Sequence, residues 1–108
     1  MSGIEDLTTA IREFAQQRDW ERFHTPKNLA MALSVEVAEL VELFQWLTPE
    51  ESATLAETPE GRAAIEDEIA DIAIYLLRLA DVIGVDAEGV MRAKLERNHQ
   101  RFPAADGG

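Results

Sequence analysis

The chain has 108 residues, no cysteine, and 21 acidic against 10 basic residues, so its net charge at pH 7 is −11. The absence of cysteine excludes disulfides and thiolate metal sites, and the negative charge disfavours binding to nucleic acid phosphates. No apolar run approaches the roughly 18 residues that span a bilayer, and no secretory signal is visible. We therefore expect a single globular domain over residues 1–108, located in the cytoplasm, that binds neither nucleic acid nor membrane.

The first predicted helix covers residues 2–17. Ser2 and Glu5 form a capping-box pattern at its start. The apolar side chains that follow recur at helical spacing, and they are Ile4, Leu7, Ile11 and Phe14. The next stretch mixes aromatic and polar side chains without helical periodicity, which predicts a loop, and it reads RDWERFHTPKN.

The second predicted helix begins at Thr25-Pro26, the pattern of an N-cap followed by the first helical residue. Its apolar stripe is rich in leucine and continues to about Leu47. Residues 48–58 contain a further Thr-Pro start signal, and we predict that they form a loop with one short helical turn.

The third predicted helix covers residues 59–83 and ends before Gly84, and the fourth runs from the cap Asp86 to about Pro103. Residues 103–108 are expected to form a flexible tail. The absence of strand-like alternation predicts an all-α fold. The apolar stripe of the third helix consists of Ile65, Ile69, Ile72, Leu76, Leu79 and Ile83, and that of the fourth consists of Met91, Leu95 and Phe102.

Two pairs of carboxylates lie beside these stripes. On a helical wheel, Glu36 falls inside the leucine stripe of the second helix and Glu39 lies at its edge one turn later. Glu68 and Asp71 follow one flank of the stripe of the third helix. If the two helices pack antiparallel through their stripes, the four carboxylates meet and raise one another's pKa values. Oxygen ligands of this kind suit Mg²⁺ or Mn²⁺, so the pattern predicts a divalent metal site.

Other interpretations of the acidic residues remain open at this point. Glu-x-x-Glu pairs are common on solvated helices, so an ordinary acidic surface is one alternative. A di-iron bundle is another, because such sites use Glu-x-x-His pairs. Glu21 with His24 and Glu96 with His99 have this spacing, but the first pair lies in the aromatic segment. Glu96 lies about 120° from the apolar face of its helix, so neither pair is expected to point inward.

Taken together, these motifs resemble those of the MazG-like nucleoside triphosphate pyrophosphohydrolases, in particular their dCTP pyrophosphatase branch. The family pattern is Glu-Glu-x-x-Glu, a spacer and Glu-x-x-Asp. Here Val35 stands in place of the first Glu, an acid that the dCTP branch often lacks, and a spacer of 28 residues separates Glu39 from Glu68. The resemblance covers nearly the whole chain, through RDWERFHTPKNL, ELFQW, DEIADIAIYLLRLAD and KLERNHQRFP.

The resemblance implies a metal-dependent enzyme. Its catalytic and metal-binding residues would be Glu36, Glu39, Glu68 and Asp71, which would hold Mg²⁺, with Mn²⁺ as the alternative ion. The implied substrate is a nucleoside triphosphate, dCTP or a modified dCTP, and the products are the monophosphate and pyrophosphate. The implied role is clearance of unwanted nucleotides. The implied fold is a four-helix MazG-like bundle that assembles with neighbouring subunits as a homodimer or homotetramer.

Substrate-binding residues are implied by the same resemblance. A phosphate and sugar role falls on Lys94, Asn98 and Arg101, and a base and sugar pocket on Trp20, Phe23, His24, Trp46 and Tyr75. The alternatives are a solvated helix end for the basic residues and a core or subunit contact for the tryptophans. The alternative to an enzyme is a non-catalytic helical dimerisation module with an acidic metal-binding patch. Magnesium-dependent pyrophosphate release would distinguish the two.

Overall fold

Local capping signals in the sequence account for where the helices begin. The computed structural model describes residues 3–105, and in that range the chain is helical and contains no strand, which confirms the predicted all-α class. Two 3₁₀ turns, Glu21–Phe23 and Leu55–Glu57, accompany five α-helices: α1 (Gly3–Gln17), α2 (Pro26–Phe44), α3 (Pro49–Thr54), α4 (Pro59–Ile83) and α5 (Ala87–Arg101).

The predicted count of four helices is not confirmed, because residues 48–58, predicted as a loop with one short helical turn, contain a six-residue α-helix and a 3₁₀ turn. Thr48 accepts a hydrogen bond from the backbone of Glu51, and the Glu51 side chain accepts one from the backbone N–H of Thr48. This reciprocal capping box, with Pro49 at the first helical position, satisfies the free N–H groups of a short helix. The segment therefore forms α3 and a 3₁₀ turn before α4 begins.

The other predicted boundaries agree with the structure to within a few residues. The bounds of α4 are those predicted, with Gly84 in the left-handed conformation after its end (φ 77°). α2 ends at Phe44, three residues before the predicted end. Ser2, the predicted first cap, and residues 106–108 of the predicted tail lie outside the described residues. The N-cap side chains that accept backbone hydrogen bonds belong to Thr25, Thr48, Thr58 and Asp86.

The pairing of α2 with α4 forms the centre of the fold. The 3₁₀ turn at Leu55–Glu57 and α1 also pack on α4, whereas α5 makes few contacts with the other helices. This arrangement places the Glu-x-x-Glu motif of α2 beside the Glu-x-x-Asp motif of α4. In the part of the chain that the structure describes, no helix is both long enough and apolar enough to cross a membrane.

A single copy of the chain buries few of its apolar side chains. Among residues 3–105, Ala15 and Leu29 are the apolar residues that are fully buried. Half of the predicted α4 stripe and all of the predicted α5 stripe are exposed on a single copy of the chain. The exposed members are Ile69, Leu76, Ile83, Met91, Leu95 and Phe102.

The whole chain is correspondingly extended. Its accessible surface is 8137 Å², whereas a folded monomer of this mass exposes about 6,000 Å². Its radius of gyration is 17.1 Å, against about 13 Å for a compact domain of this length. The helices of one chain therefore leave a large apolar surface uncovered.

Candidate functional site

α2 and α4 bring three carboxylates together. Glu36 and Glu39 from α2 and Glu68 from α4 each offer an oxygen, and these oxygens lie within 4.8 Å of one another. The Oε2 atoms of Glu36 and Glu68 are buried, and no donor within residues 3–105 gives them a hydrogen bond. Ionised carboxylates only accept hydrogen bonds. The cluster therefore requires either a shared proton or a cation.

The pKa values of the cluster reflect this conflict. Burial, followed by proton sharing with Glu36 and Glu39 and by their negative charges, raises the pKa of Glu68 to about 7. Proton sharing with Glu68 acts to lower the pKa of Glu36, but burial and the charges of Glu39 and Asp71 outweigh it, so the net shift is upward. Both shifts show that the ionised cluster is unfavourable without a positive partner.

A divalent cation fits this set of ligands. The three side chains present oxygen atoms, which are the ligands that Mg²⁺ and Mn²⁺ prefer. Oε2 of Glu36 and Oε2 of Glu68 have no hydrogen-bond donor among the described residues, and a cation bound by the cluster would offset the negative charge of both side chains. Asp71, the fourth predicted ligand, lies outside the three-carboxylate group, but its charge acts on Glu36 from one turn further along α4.

Asp71 connects the carboxylates to a neighbouring cavity. The cavity has a volume of about 350 Å³ and lies between α1, α4 and the segment that joins α1 to α2. This volume is at the lower end of the range found for small-molecule sites. Three of the predicted pocket residues, Trp20, His24 and Tyr75, line it together with Asp71, and the remaining lining residues are Ile11, Phe14, Ala15, Ile74 and Arg78.

Trp20 has both of the roles considered for it from the sequence, a packing contact and a pocket wall. Its ring makes edge contacts with Phe14, at 5.6 Å between ring centres, and with His24, at 6.3 Å. These contacts hold the indole against α1 while another part of it faces the cavity. The tryptophan therefore packs against the fold and forms a wall of the cavity at the same time.

An ionic network centred on the buried Arg78 borders this cavity, and the sequence analysis did not predict it. The Arg78 side chain is 6% exposed, and its Nη1 lies 3.2 Å from Asp81 Oδ2. Arg12 of α1 donates two hydrogen bonds to the same carboxylate, at 2.7 and 2.8 Å. The one available signal was an arginine inside the apolar run YLLRLAD.

His24 is part of this network. Nε of Arg78 donates a hydrogen bond of 2.9 Å to Nδ1 of His24. Burial and then the positive charge of Arg78 lower the pKa of His24, against the opposing charge of Glu21. A histidine held by an arginine is poorly suited to bind iron, so the geometry gives no support to the Glu21–His24 pair as a metal site.

The remaining predicted substrate residues do not line the cavity in a single chain. Trp46 follows the end of α2 and is 86% exposed. The ring of Phe23 is covered by the Arg22 guanidinium at 4.7 Å. Three others lie on α5, which packs loosely on the rest of the chain, and these are Lys94, Asn98 and Arg101.

A larger cleft of about 640 Å³ separates α1 from the start of α5. It contains none of the predicted site residues. Both of its arginines are already paired, Arg12 with Asp81 and Arg92 with Glu88. The carboxylate cluster and the smaller cavity beside it are therefore the better candidate site.

The fold and the site together define an all-α protein whose two central helices present carboxylates suited to a divalent cation. Residues 31–108, which include most of α2 and all of α3, α4 and α5, match the model of the MazG-like family. The chain belongs to the MazG-like family. This confirms the resemblance inferred from the sequence motifs.

Two relatives named for an enzymatic activity are similar to this chain over most of its length. The chain is 46% identical over 100 residues to dCTP pyrophosphatase 1 of Bos taurus, a match that covers 93% of this chain and 59% of the relative. It is 45% identical over 101 residues to dCTP pyrophosphatase 1 of Homo sapiens, with 94% and 59% covered. The chain thus spans about three fifths of the length of the curated relatives it matches.

A solved structure shows the same fold. The crystal structure of a pyrophosphatase from Archaeoglobus fulgidus DSM 4304 superposes with a TM-score of 0.85 and 41% sequence identity. The match covers 96% of this chain and 95% of that chain. The helical arrangement is therefore shared with a known pyrophosphatase along almost its entire length.

Proposed function

We propose that this chain hydrolyses a nucleoside triphosphate, dCTP or a modified dCTP, to the monophosphate and pyrophosphate in a Mg²⁺-dependent reaction. The observation that carries the proposal is the pair of buried carboxylate oxygens on Glu36 and Glu68 that have no donor in the described part of the chain. They lie beside a cavity that Asp71 shares with aromatic side chains. The relatives named dCTP pyrophosphatase 1 support the choice of substrate.

The four carboxylates would hold the cation. Glu36, Glu39 and Glu68 supply the converging oxygens, and Asp71 extends the negative surface towards the cavity. When bound, Mg²⁺ neutralises phosphate charge and lowers the pKa of a water molecule, and Mn²⁺ can serve in its place. The elevated pKa values of Glu36 and Glu68 mean that cation binding competes with protons in this cluster.

The aromatic cavity would hold the base and sugar. A volume of about 350 Å³ suits part of a nucleotide rather than the whole triphosphate, so the phosphates would extend towards the carboxylates. Trp20 and Tyr75 offer faces against which a base can stack, an interaction worth about 1–3 kcal/mol per base. His24 offers a ring nitrogen that can read the edge of the base.

A second copy of the chain would complete the site. The exposed apolar side chains on α4 and α5 support this proposal, in which one copy packs on another as a homodimer or homotetramer. Such packing would bring Trp46, Lys94, Asn98 and Arg101 of one subunit towards the carboxylates of another, where cations stabilise an anionic substrate. Phe23 would then belong to the subunit contact or to the pocket edge. We place this activity in the cytoplasm, where nucleotides are abundant.

A product assay tests the proposal. The purified chain is incubated with each common ribo- and deoxynucleoside triphosphate, in Mg²⁺ and in EDTA, and pyrophosphate is measured separately from orthophosphate. We expect monophosphate and pyrophosphate in Mg²⁺ and no reaction in EDTA. Release of orthophosphate and a nucleoside diphosphate would contradict the proposed position of cleavage. Metal binding without hydrolysis of any nucleotide would favour the non-catalytic helical module.

Base preference is tested in the same assay. We expect dCTP or 5-methyl-dCTP to exceed dATP and dGTP in kcat/KM by about tenfold or more, a difference of about 1.4 kcal/mol. Trp46→Ala should reduce this preference if its indole reaches the base in the assembled protein. Equal rates on purines and pyrimidines would contradict the base assignment and leave the hydrolytic reaction in place.

A further inference from the structure

The ring of His24 accepts a hydrogen bond from Arg78, a buried arginine whose side chain is held in place by several contacts. Nε of Arg78 donates to Nδ1 of His24 at 2.9 Å, and both side chains line the 350 Å³ cavity. The guanidinium is 6% exposed and is held by Asp81 at 3.2 Å and by Glu21 at 3.9 Å. Arg12 fixes Asp81 in turn through two hydrogen bonds. The direct contacts of the arginine, with Asp81 on its own helix and with Glu21 on the connecting turn, therefore determine where its donor points.

This contact determines which nitrogen of the imidazole carries the proton. A guanidinium only donates hydrogen bonds and keeps its protons in proteins. Nδ1 of His24, which accepts from Arg78, is therefore unprotonated, and the ring is neutral while the contact lasts. A neutral imidazole with a bare Nδ1 carries its proton on Nε2. Within residues 3–105, no hydrogen bond uses this Nε2–H, so it remains available to a ligand.

We propose that Arg78 is a positioning residue that fixes His24 as an Nε2–H donor at the ligand cavity, so that the site accepts a base with a bare ring nitrogen and rejects one with N–H there. The inference rests on the proposed function for the identity of the ligand. Cytosine presents an unprotonated N3, whereas uracil and thymine present N3–H. Two donors that face each other in a cavity lined mainly by apolar side chains leave both unpaired, and such mismatches give strong discrimination.

The tautomer of His24 is directly measurable by NMR, without any substrate. Long-range ¹H–¹⁵N correlation spectra of protein labelled with ¹⁵N-histidine distinguish a protonated from a bare ring nitrogen. The chain has two histidines, and His99, exposed on α5, is the internal reference for a solvent-averaged ring. At neutral pH we expect His24 to show a protonated Nε2 and a bare Nδ1. A protonated Nδ1, or a doubly protonated ring, would overturn the proposal.

Substitution of the arginine tests its consequence for selectivity. Arg78→Gln replaces an obligate donor with an amide that can also accept, so His24 can adopt either tautomer. Arg78→Lys keeps a group that only donates. We expect Arg78→Gln to lower the ratio of kcat/KM for dCTP to that for dUTP about tenfold and to broaden the His24 tautomer signals, with rescue of both by Arg78→Lys.

A matched control separates this effect from loosening of the network. Arg12→Gln removes the charge and the paired hydrogen bonds that Arg12 gives to Asp81. Arg78 keeps its own contacts with Asp81, Glu21 and His24, so the tautomer and the substrate ratio should persist. An unchanged ratio in folded Arg78→Gln would overturn the selectivity role. If Arg78→Gln does not fold, the wild-type spectrum still decides the tautomer of His24. The ratio of kcat/KM for dCTP to that for dUTP, measured in His24→Gln, still decides whether the ring contributes to selectivity. If the chain hydrolyses no nucleotide, the proposed function fails, and the NMR result still decides the role of Arg78.

Discussion

At the scale of single residues, Glu36 and Glu68 show how an unfavourable arrangement can indicate function. Each has a buried carboxylate oxygen that no donor among the described residues contacts. Their pKa values are raised, that of Glu68 to about 7. A protein that needed these positions for packing alone would be better served by apolar or amide side chains. A cation bound in the cluster of the active protein would compensate the negative charge of these carboxylates.

Neutral substitutions in the cluster should therefore separate activity from stability. Glu36→Gln, Glu39→Gln, Glu68→Gln and Asp71→Asn should each lower kcat/KM by about 100-fold or more, because each removes a ligand or an adjacent charge from the cation site. Glu36→Gln and Glu68→Gln should also raise the melting temperature of the metal-free protein, since repulsion and charge burial are relieved.

The matched control is Asp67→Asn. It removes the same charge from an exposed position on α4 next to Glu68 and should change neither kcat/KM nor metal dependence. Near-normal activity in both Glu36→Gln and Asp71→Asn would show that the four-carboxylate site is wrong.

The pH dependence of stability follows from the same cluster. The pKa of Glu68 is about 7 in the fold and about 4.5 when unperturbed. Between these values the folded state binds more protons than the unfolded state, so the free energy of unfolding falls as the pH rises. The contribution is complete below about pH 4.5 and is lost as the pH rises through about 7. Glu36 acts in the same direction.

Thermal unfolding of the metal-free protein across this pH range measures the effect. Glu68→Gln should flatten the slope, and Mg²⁺ should raise the melting temperature more as the pH increases, because it binds the deprotonated cluster. A wild-type slope that matches the slope of Glu68→Gln would contradict the assigned pKa.

At the scale of secondary structure elements, α1 is tied to α4 by one ionic network. Asp81 accepts from Arg12 of α1 and lies next to the buried Arg78 of its own helix. The hydrogen bond from Arg12 lowers the pKa of Asp81, and the charge of Arg78 acts the same way. The carboxylate thus stabilises the fold above its unperturbed pKa of 3.8, and this contribution is lost as the pH falls through the lower folded value.

Substitution of Asp81 and substitution of Arg12 should lower the free energy of unfolding by different amounts. Asp81→Asn leaves the buried Arg78 without its nearest counter-charge and should lower the free energy of unfolding by roughly 3 kcal/mol. Arg12→Ala removes a partner that is 42% exposed and should cost about 1 kcal/mol or less. Urea unfolding of both variants at neutral pH measures the difference. Equal costs would indicate that Arg12, not Arg78, dominates the pairing.

At the scale of the whole molecule, the exposed surface predicts association. The chain exposes 8137 Å², roughly 2,000 Å² more than a monomer of its mass. If each of two chains buries this excess, the total buried area lies in the range of permanent homodimer interfaces, about 2,000–5,000 Å². The apolar residues left exposed on α4 and α5 are of the kind that such interfaces bury.

Charged substitutions in this surface should weaken association. Light scattering should show a mass that is a multiple of 12.0 kDa for the wild type. Leu76→Arg on α4 and Leu95→Arg on α5 should shift the mass towards that of a single chain, because a buried unpaired charge is costly. Gln100→Arg, an exposed position on α5, adds the same charge as a control. A stable wild-type monomer at micromolar concentration would contradict this prediction.

Features that depend on residues close together in the chain could be predicted from the sequence alone. Helix starts follow from Thr-Pro and Asp caps whose side chains bond to the backbone three residues later. Helical periodicity places Glu36 with Glu39, and Glu68 with Asp71, one turn apart on one face. The helical class and the candidate metal ligands therefore follow from local spacing. The family resemblance added the expected reaction.

Features that depend on residues distant in the chain were decided by the tertiary structure. The Arg78–His24 hydrogen bond joins residues 54 apart, and the Arg12–Asp81 pair joins residues 69 apart. Periodicity shows which residues share a face of a helix but not which element covers that face. Leu29 is buried while Ile69 and Leu76 remain exposed for this reason. Trp20 faces the cavity and Trp46 faces solvent because the packing of α1 on α4, rather than any local rule, determines where the cavity lies.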